Sequence, residues 1–268
     1  MDHGKMIPVD MQDPCALQHG NTGHEGGLVF TGAFIPFAFP GLPSVGCVFA
    51  TGFAGSMSMN VDSGDAVPVP GNRRRLLRSI GVNRWAEVWQ VHKDDFVVDA
   101  PATPVDRPAE RNADGLCTRE KGMALAIKTA DCQPIFFCSA DGGAVAGLHA
   151  GWRGNVLNYP ATGLKAFCRA YGLHPSEVLA VRGPSLGPAA AEFVNFEKEW
   201  PSEFKPWFNE QKRTMDLWRL TRDQLTKAGM LPEHIFSLDL CTHSLSDLFF
   251  SYRRGHAGRQ ASLIWIKE

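Results

Sequence analysis

The sequence lacks any run of about eighteen apolar residues, so no segment is long enough to cross a bilayer as a helix. It lacks a surplus of charge: 27 basic against 28 acidic residues leave a net charge of −1. That balance excludes a global field that would draw in nucleic acid or an anionic membrane surface. There is no C-x-x-C pair, and the 7 cysteines are odd in number and scattered, so a disulfide framework is not expected and a reducing compartment is. None of the 9 histidines forms an H-x-H pair, the usual source of imidazoles for a trinuclear copper centre. No internal repeat is present. Residues 1–27 are polar, glycine-rich and aperiodic, with no apolar stretch behind a basic start, which predicts a flexible arm rather than a secretory signal. The expectation is a cytoplasmic protein, monomeric or weakly dimeric, with a domain over 28–268.

What is present is a chain with 44% hydrophobic residues and enough length for one large core. Short apolar runs bounded by glycine and proline predict strands over residues 44–51, 85–92, 95–99, 123–128, 134–138, 144–148, 177–181, 235–240 and 261–266. Residues 28–39 read as an edge strand or lid. Asn72 is expected to cap a helix whose apolar face is Leu76, Leu77 and Ile80, with Arg73, Arg74 and Arg75 on the solvated side. Asp114-Gly115 reads as a turn. Residues 155–171 read as a helix with a poor start, because of Pro160 and Gly163. Asp216 is expected to cap a helix carrying Leu217, Leu220, Gln224 and Leu225 on one side. Strands that follow one another as hairpins, with helices interspersed, indicate an α+β fold with mixed sheets.

The segment 129–154, TADCQPIFFCSADGGAVAGLHAGWRG, organises the chain. Its two apolar runs flank Asp141-Gly142-Gly143, a hairpin signal. Antiparallel pairing brings Cys132, just before the first strand, beside His149, which closes the second. A thiolate and a neutral imidazole are ligands that zinc prefers, and also the makings of an activated nucleophile. His92 ends another predicted strand. The three residues are 40 and 17 positions apart, too far for a zinc knuckle. Three N/S donors from separate strand ends suit an open site whose fourth position takes water or substrate. Each residue taken singly has a plainer reading as a structural strand-end side chain. Asp131 stands next to Cys132, placed to orient a ligand or to act as a base, Gln90 is expected on the same side as His92, and Arg153 follows His149 in a glycine-rich context. A helix start and an arginine beside a metal suggest a reaction that uses phosphate, although a surface ion pair would also account for Arg153. Trp152 reads as core by default. The bland reading of Arg253-Arg254 is surface decoration.

TADC and HAGWRG, with QVH upstream and GPSLGP, DLCT, FFSYRR and GRQA downstream, resemble the laccase-domain family of purine nucleoside phosphorylases. Bacterial members of that family are also called polyphenol oxidase-like proteins or peptidoglycan editing factors of the YfiH type. The likeness runs from about Ser44 to the C-terminus. It implies a single α+β domain layered as an α/β/β/α sandwich, with zinc on His92, Cys132 and His149. It also implies phosphorolysis of adenosine, inosine, guanosine and methylthioadenosine, together with deamination of adenosine. On this reading Arg153 holds phosphate, Asp131 assists proton transfer, and Asn60, Gln90 and Arg253 contact substrate. The family's early-loop Thr-Arg is Thr51-Gly52 here, Lys93 replaces the glycine after QVH, and Ala189, Ala190 and Ala191 follow GPSLGP. The zinc-deaminase signature H-x-E…C-x-x-C is absent, so any deamination is built differently. Three alternatives remain: a cysteine hydrolase using Cys132 and His149, an enzyme editing peptidoglycan precursors, and a single copper on the same trio in place of zinc.

Overall fold

The computed structural model describes residues 32–59, 64 and 68–268. The arm at 1–27, the first part of the expected 28–39 element and Asn60 lie outside the described residues.

Among the described residues there are thirteen strands: β1 (Phe34–Pro36), β2 (Val45–Ala50), β3 (Arg84–Glu87), β4 (Phe96–Val97), β5 (Gly115–Thr118), β6 (Met123–Thr129), β7 (Gln133–Ser139), β8 (Val145–Ala150), β9 (Val178–Arg182), β10 (Phe208–Asn209), β11 (Thr214–Met215), β12 (Ile235–Ser237) and β13 (Gln260–Ile266). The helices are α1 (Val69–Ser79), α2 (Trp152–Val156), α3 (Tyr159–Tyr171), α4 (Phe196–Glu199) and α5 (Leu217–Lys227). A five-stranded sheet has the order β1-β2-β13-β6-β3, and a six-stranded sheet the order β12-β9-β7-β8-β5-β4. Both are mixed: β3 runs parallel to β6, and β12 and β4 run parallel to β9 and β5. The remaining neighbours within the two sheets are antiparallel.

Side-chain alternation sorts these strands into layers. On β7, Phe136 and Cys138 face one way while Ile135 and Phe137 face the other. On β13, Ile264 and Ile266 share the core that holds Phe136, while Leu263 and Trp265 pack on the opposite side. The inner cluster therefore lies between the two sheets, drawing Phe49, Leu125 and Ile127 from one and Phe136, Val145 and Val181 from the other. α1 covers the outer face of the five-stranded sheet through Leu76 and Leu77. α3 and α5 cover the six-stranded sheet through Leu164, Phe167 and Leu225. This is the expected α/β/β/α order in a single α+β domain. Each fully buried phenylalanine contributes about 1.5–3 kcal/mol of transfer free energy.

The hairpin around Asp141 forms as expected: Pro134 pairs with His149, and the Asp141 carboxylate accepts the N–H of Gly143. Asp216 caps α5 by accepting the N–H of Arg219. Five expectations change. α1 begins at Val69, after Pro68, with Pro70 in its first turn, so Asn72 lies inside the helix and donates to the Ser56 carbonyl. Arg73 is not solvated: it is fully buried and paired with Glu87 at 2.8 Å. The expected strand 85–92 ends at Glu87: Trp89 turns to an isolated bridge with Asn112, and His92 adopts a left-handed backbone with φ of 60°. Asp114 is buried rather than at an exposed turn, and Gly115 opens β5. The helical stretch 155–171 is two helices, broken at left-handed Asn158.

Candidate metal centre

The chain crosses between the sheets three times at one end of the sandwich, and two of these crossings carry candidate ligands; the third, 238–259, runs from β12 to β13. Residues 130–132 carry it from β6 of the five-stranded sheet to β7 of the six-stranded one, and residues 88–95 carry it from β3 to β4. Cys132 sits on the first crossing and His92 on the second. His149 ends β8, next to β7. Two loops and a strand end thus meet at the same edge, which is why residues so distant in sequence converge.

The donor atoms of His92, Cys132 and His149 all lie within 4.8 Å of one another. The Cys132 Sγ is 3.9 Å from His92 Nε2, and the two imidazole rings meet edge to face with centroids 4.8 Å apart. Zinc bonds of about 2.3 Å to sulfur and 2.0–2.1 Å to nitrogen place tetrahedral donors roughly 3.5 Å apart, so the trio fits that ion with a small contraction. His149 is buried, Cys132 half-buried and His92 exposed, which leaves one side of the cluster open. Gly151 makes the close approach possible: a Cβ there would stand 2.8 Å from the Cys132 sulfur.

Charge follows from this packing. Burial pushes the Cys132 thiol up, but the His149 and His92 imidazoles beside it outweigh burial and bring it down to about 6. Burial pulls the His149 imidazole down, yet Cys132 and the Asp114 carboxylate raise it to about 9. Each of the two groups thus favours the charged form of the other.

The cluster forms part of the wall of a cavity of about 530 Å³. Lys128, Arg153, Arg253 and Arg259 border the same cavity, and among the described residues Asp131 is the one carboxylate there. Trp152, Leu186, Phe193 and Leu217 supply an apolar side. Trp152 is both wall and core, packing against Phe193 and Trp200 at centroid distances of 5.8 and 5.7 Å. The Arg153 guanidinium lies 4.3 Å over the Trp152 ring. Gln90 borders the cavity with its amide engaged: it donates to the Lys128 carbonyl and accepts the Lys128 N–H, extending the β3–β6 pairing by one side chain. Both Asp131 oxygens are engaged too, accepting from the Thr242 hydroxyl, the Ser251 hydroxyl and the Arg253 N–H. Asp131 thereby pins the segment 242–253 beside Cys132, with its own backbone at φ of 88°. The Arg253 guanidinium donates to the Glu192 carbonyl at 3.1 Å.

Sequence reasoning missed three residues here. Asp114 binds His149 Nδ1 at 2.7 Å. Lys128 borders the cavity with its ammonium on buried Glu87, whose carboxylate Arg73 already pairs. Arg259 reaches the cavity from the GRQA motif, and its backbone is tied to Met57 and to the Ser56 hydroxyl.

An open three-donor cluster at the edge of two sheets of one domain defines an α+β protein with a site that could hold a metal ion. The family model described as multi-copper polyphenol oxidoreductase laccase matches residues 47–267, and the chain belongs to that family. Purine nucleoside phosphorylase YfiH of Escherichia coli is 34% identical over 223 residues, covering 79% of this chain and 86% of that protein. Purine nucleoside phosphorylase YlmD of Geobacillus stearothermophilus is 32% identical over 234 residues, covering 80% and 84%. The crystal structure of that YlmD aligns with a TM-score of 0.76 at 26% identity, covering 95% of this chain and 99% of that one. Among the described residues, the trio is the one cluster of three or more residues that could hold a metal ion.

Proposed function

We propose that this protein is a zinc-dependent purine nucleoside phosphorylase, acting on adenosine, inosine, guanosine and methylthioadenosine, with adenosine deaminase activity. The observation that carries the reading is the convergence of His92, Cys132 and His149 on the wall of a cavity bordered by four cationic side chains. The names of the YfiH and YlmD relatives support the nucleoside and phosphate substrates. Zinc bound to this set would supply Lewis acidity at a vacant coordination position. Copper is the second candidate for the same donors.

The remaining roles belong to the chain's own groups. Arg153 is exposed and forms one cationic wall, where it would hold phosphate against the anomeric carbon. Lys128 and Arg259 add to that field. The apolar side at Trp152 and Phe193 would take the base, whose flat faces suit aromatic contact. Asp131 is the candidate for proton transfer, reached through the Thr242 and Ser251 hydroxyls that donate to it. Gln90 and Arg253 would meet the substrate at the cavity edge, and Asn60, outside the described residues, is proposed as a further substrate contact.

Incubating zinc-loaded protein with adenosine, with and without phosphate, tests the reading. Free adenine formed only with phosphate is the expected phosphorolysis, and inosine the expected deamination. Absence of both products at every metal loading overturns it.

A second reading has an observation in its favour. Asp114, His149 and Cys132 stand in the order of an acid–base–nucleophile triad, with the Asp–His contact already made. Metal dependence separates the two: a cysteine hydrolase keeps its activity after chelation, whereas the phosphorylase loses it.

A further inference from the structure

We propose that Asp114 is a positioning residue that fixes both imidazoles of the metal site at once. The inference rests on the metal-binding part of the reading above and is independent of the substrate.

Asp114 is fully buried at the start of β5, far in sequence from what it holds. Its Oδ1 accepts from His149 Nδ1 at 2.7 Å and from the His92 N–H at 3.0 Å. Its Oδ2 accepts from the N–H groups of Val91 at 3.1 Å and Lys93 at 2.7 Å. Four donors on one carboxylate fill the sites it can offer, which is what keeps a buried charge in place. The backbone adds a fifth tie, the His149 N–H to the Asp114 carbonyl at 2.7 Å.

Two consequences follow for the donor set. With Nδ1 turned to Asp114, His149 presents its other ring nitrogen, Nε2, to Cys132 and the cluster. The same carboxylate gathers three successive backbone N–H groups around His92, the concave arrangement that suits an anion. That wrap stabilises the left-handed backbone of His92, with φ of 60°, which a non-glycine residue seldom adopts. The turned backbone brings His92 Nε2 to 3.9 Å from the Cys132 sulfur. One buried carboxylate thus sets the ring orientation of one ligand and the loop conformation of the other. Such outer partners commonly change metal affinity by about 10- to 100-fold when altered.

The test compares zinc affinity, by competition with a chromophoric chelator, in wild-type protein and Asp114→Asn. The asparagine keeps the size but puts an NH₂ group where one oxygen accepted N–H groups. The expected result is a folded variant whose zinc affinity falls by about 10- to 100-fold. A folded Asp114→Asn with wild-type affinity overturns the inference, because a purely structural acid would lower stability and leave binding by the folded fraction intact. Should the variant fail to fold, long-range ¹H–¹⁵N correlation on zinc-loaded wild-type protein decides. Nδ1 protonated and Nε2 metal-bound on His149 is the expected pattern, and the reverse overturns the proposal. Wild-type protein that takes up no zinc overturns the metal reading itself, an outcome separate from either of these.

Discussion

Gly151 lies directly against the Cys132 sulfur: a Cβ at position 151 would stand 2.8 Å from Sγ and 3.5 Å from the His92 ring. A glycine two residues past His149 therefore leaves the space in which thiolate and imidazole converge. Gly151→Ala is expected to push Cys132 away from the donor position and lower zinc affinity at least tenfold, while far-ultraviolet circular dichroism stays unchanged. Isothermal titration with zinc measures it. Unchanged affinity would mean that the sulfur is free to move.

Lys128 is expected to act on phosphate rather than on the metal. Its ammonium shares Glu87 with Arg73, so two cations face one carboxylate and a net positive charge remains at the cavity wall. Lys128→Met leaves Glu87 paired with Arg73, which preserves the fold. One lost charge-assisted contact corresponds to about 1.5–3 kcal/mol, so KM for phosphate should rise roughly 10- to 100-fold with zinc content unchanged. Steady-state kinetics with phosphate as the varied substrate measures it, and an unchanged KM would remove Lys128 from the site.

The convergence of His92, Cys132 and His149 was legible in the sequence because each sits at the end of an apolar run, and the Asp141 turn fixes that Cys132 and His149 meet. Asp114 was not legible. Ala-Asp-Gly has the composition of a turn, and only the parallel pairing of β4 with β5 and the antiparallel pairing of β5 with β8 bring it to His149. Tertiary pairing of that kind leaves no local mark. Arg73 shows the opposite failure, since the pattern was present and was overruled. Positions 73, 76, 77 and 80 form a helical stripe with spacings of three, four and seven, so Arg73 lies on the same face as Leu76 and Leu77. Three consecutive arginines suggested a solvated face, and the partner that makes burial tolerable, Glu87, lies on another element.

Removing Arg73 tests that burial directly. It pairs with Glu87, donates to the Met57 carbonyl through Nε at 2.9 Å and Nη2 at 2.7 Å, and lies 5.0 Å from the Trp85 ring. Arg73→Leu leaves Glu87 buried with Lys128 as its remaining ion-pair partner. Breaking a buried pair in this way costs about 3–5 kcal/mol. Denaturant titration should show that loss in the folded protein's stability, and Arg73→Leu combined with Glu87→Gln should recover part of it. A change below about 1 kcal/mol, typical of a surface pair, would contradict the assignment.

Zinc K-edge X-ray absorption on stoichiometrically loaded protein tests the centre most directly, because it reads the donor atoms without reference to any substrate. The account predicts one sulfur at about 2.3 Å and two imidazole nitrogens at about 2.0–2.1 Å, with the remaining scatterer a light atom. A shell with no sulfur, or with more than one, would contradict a site made of His92, Cys132 and His149.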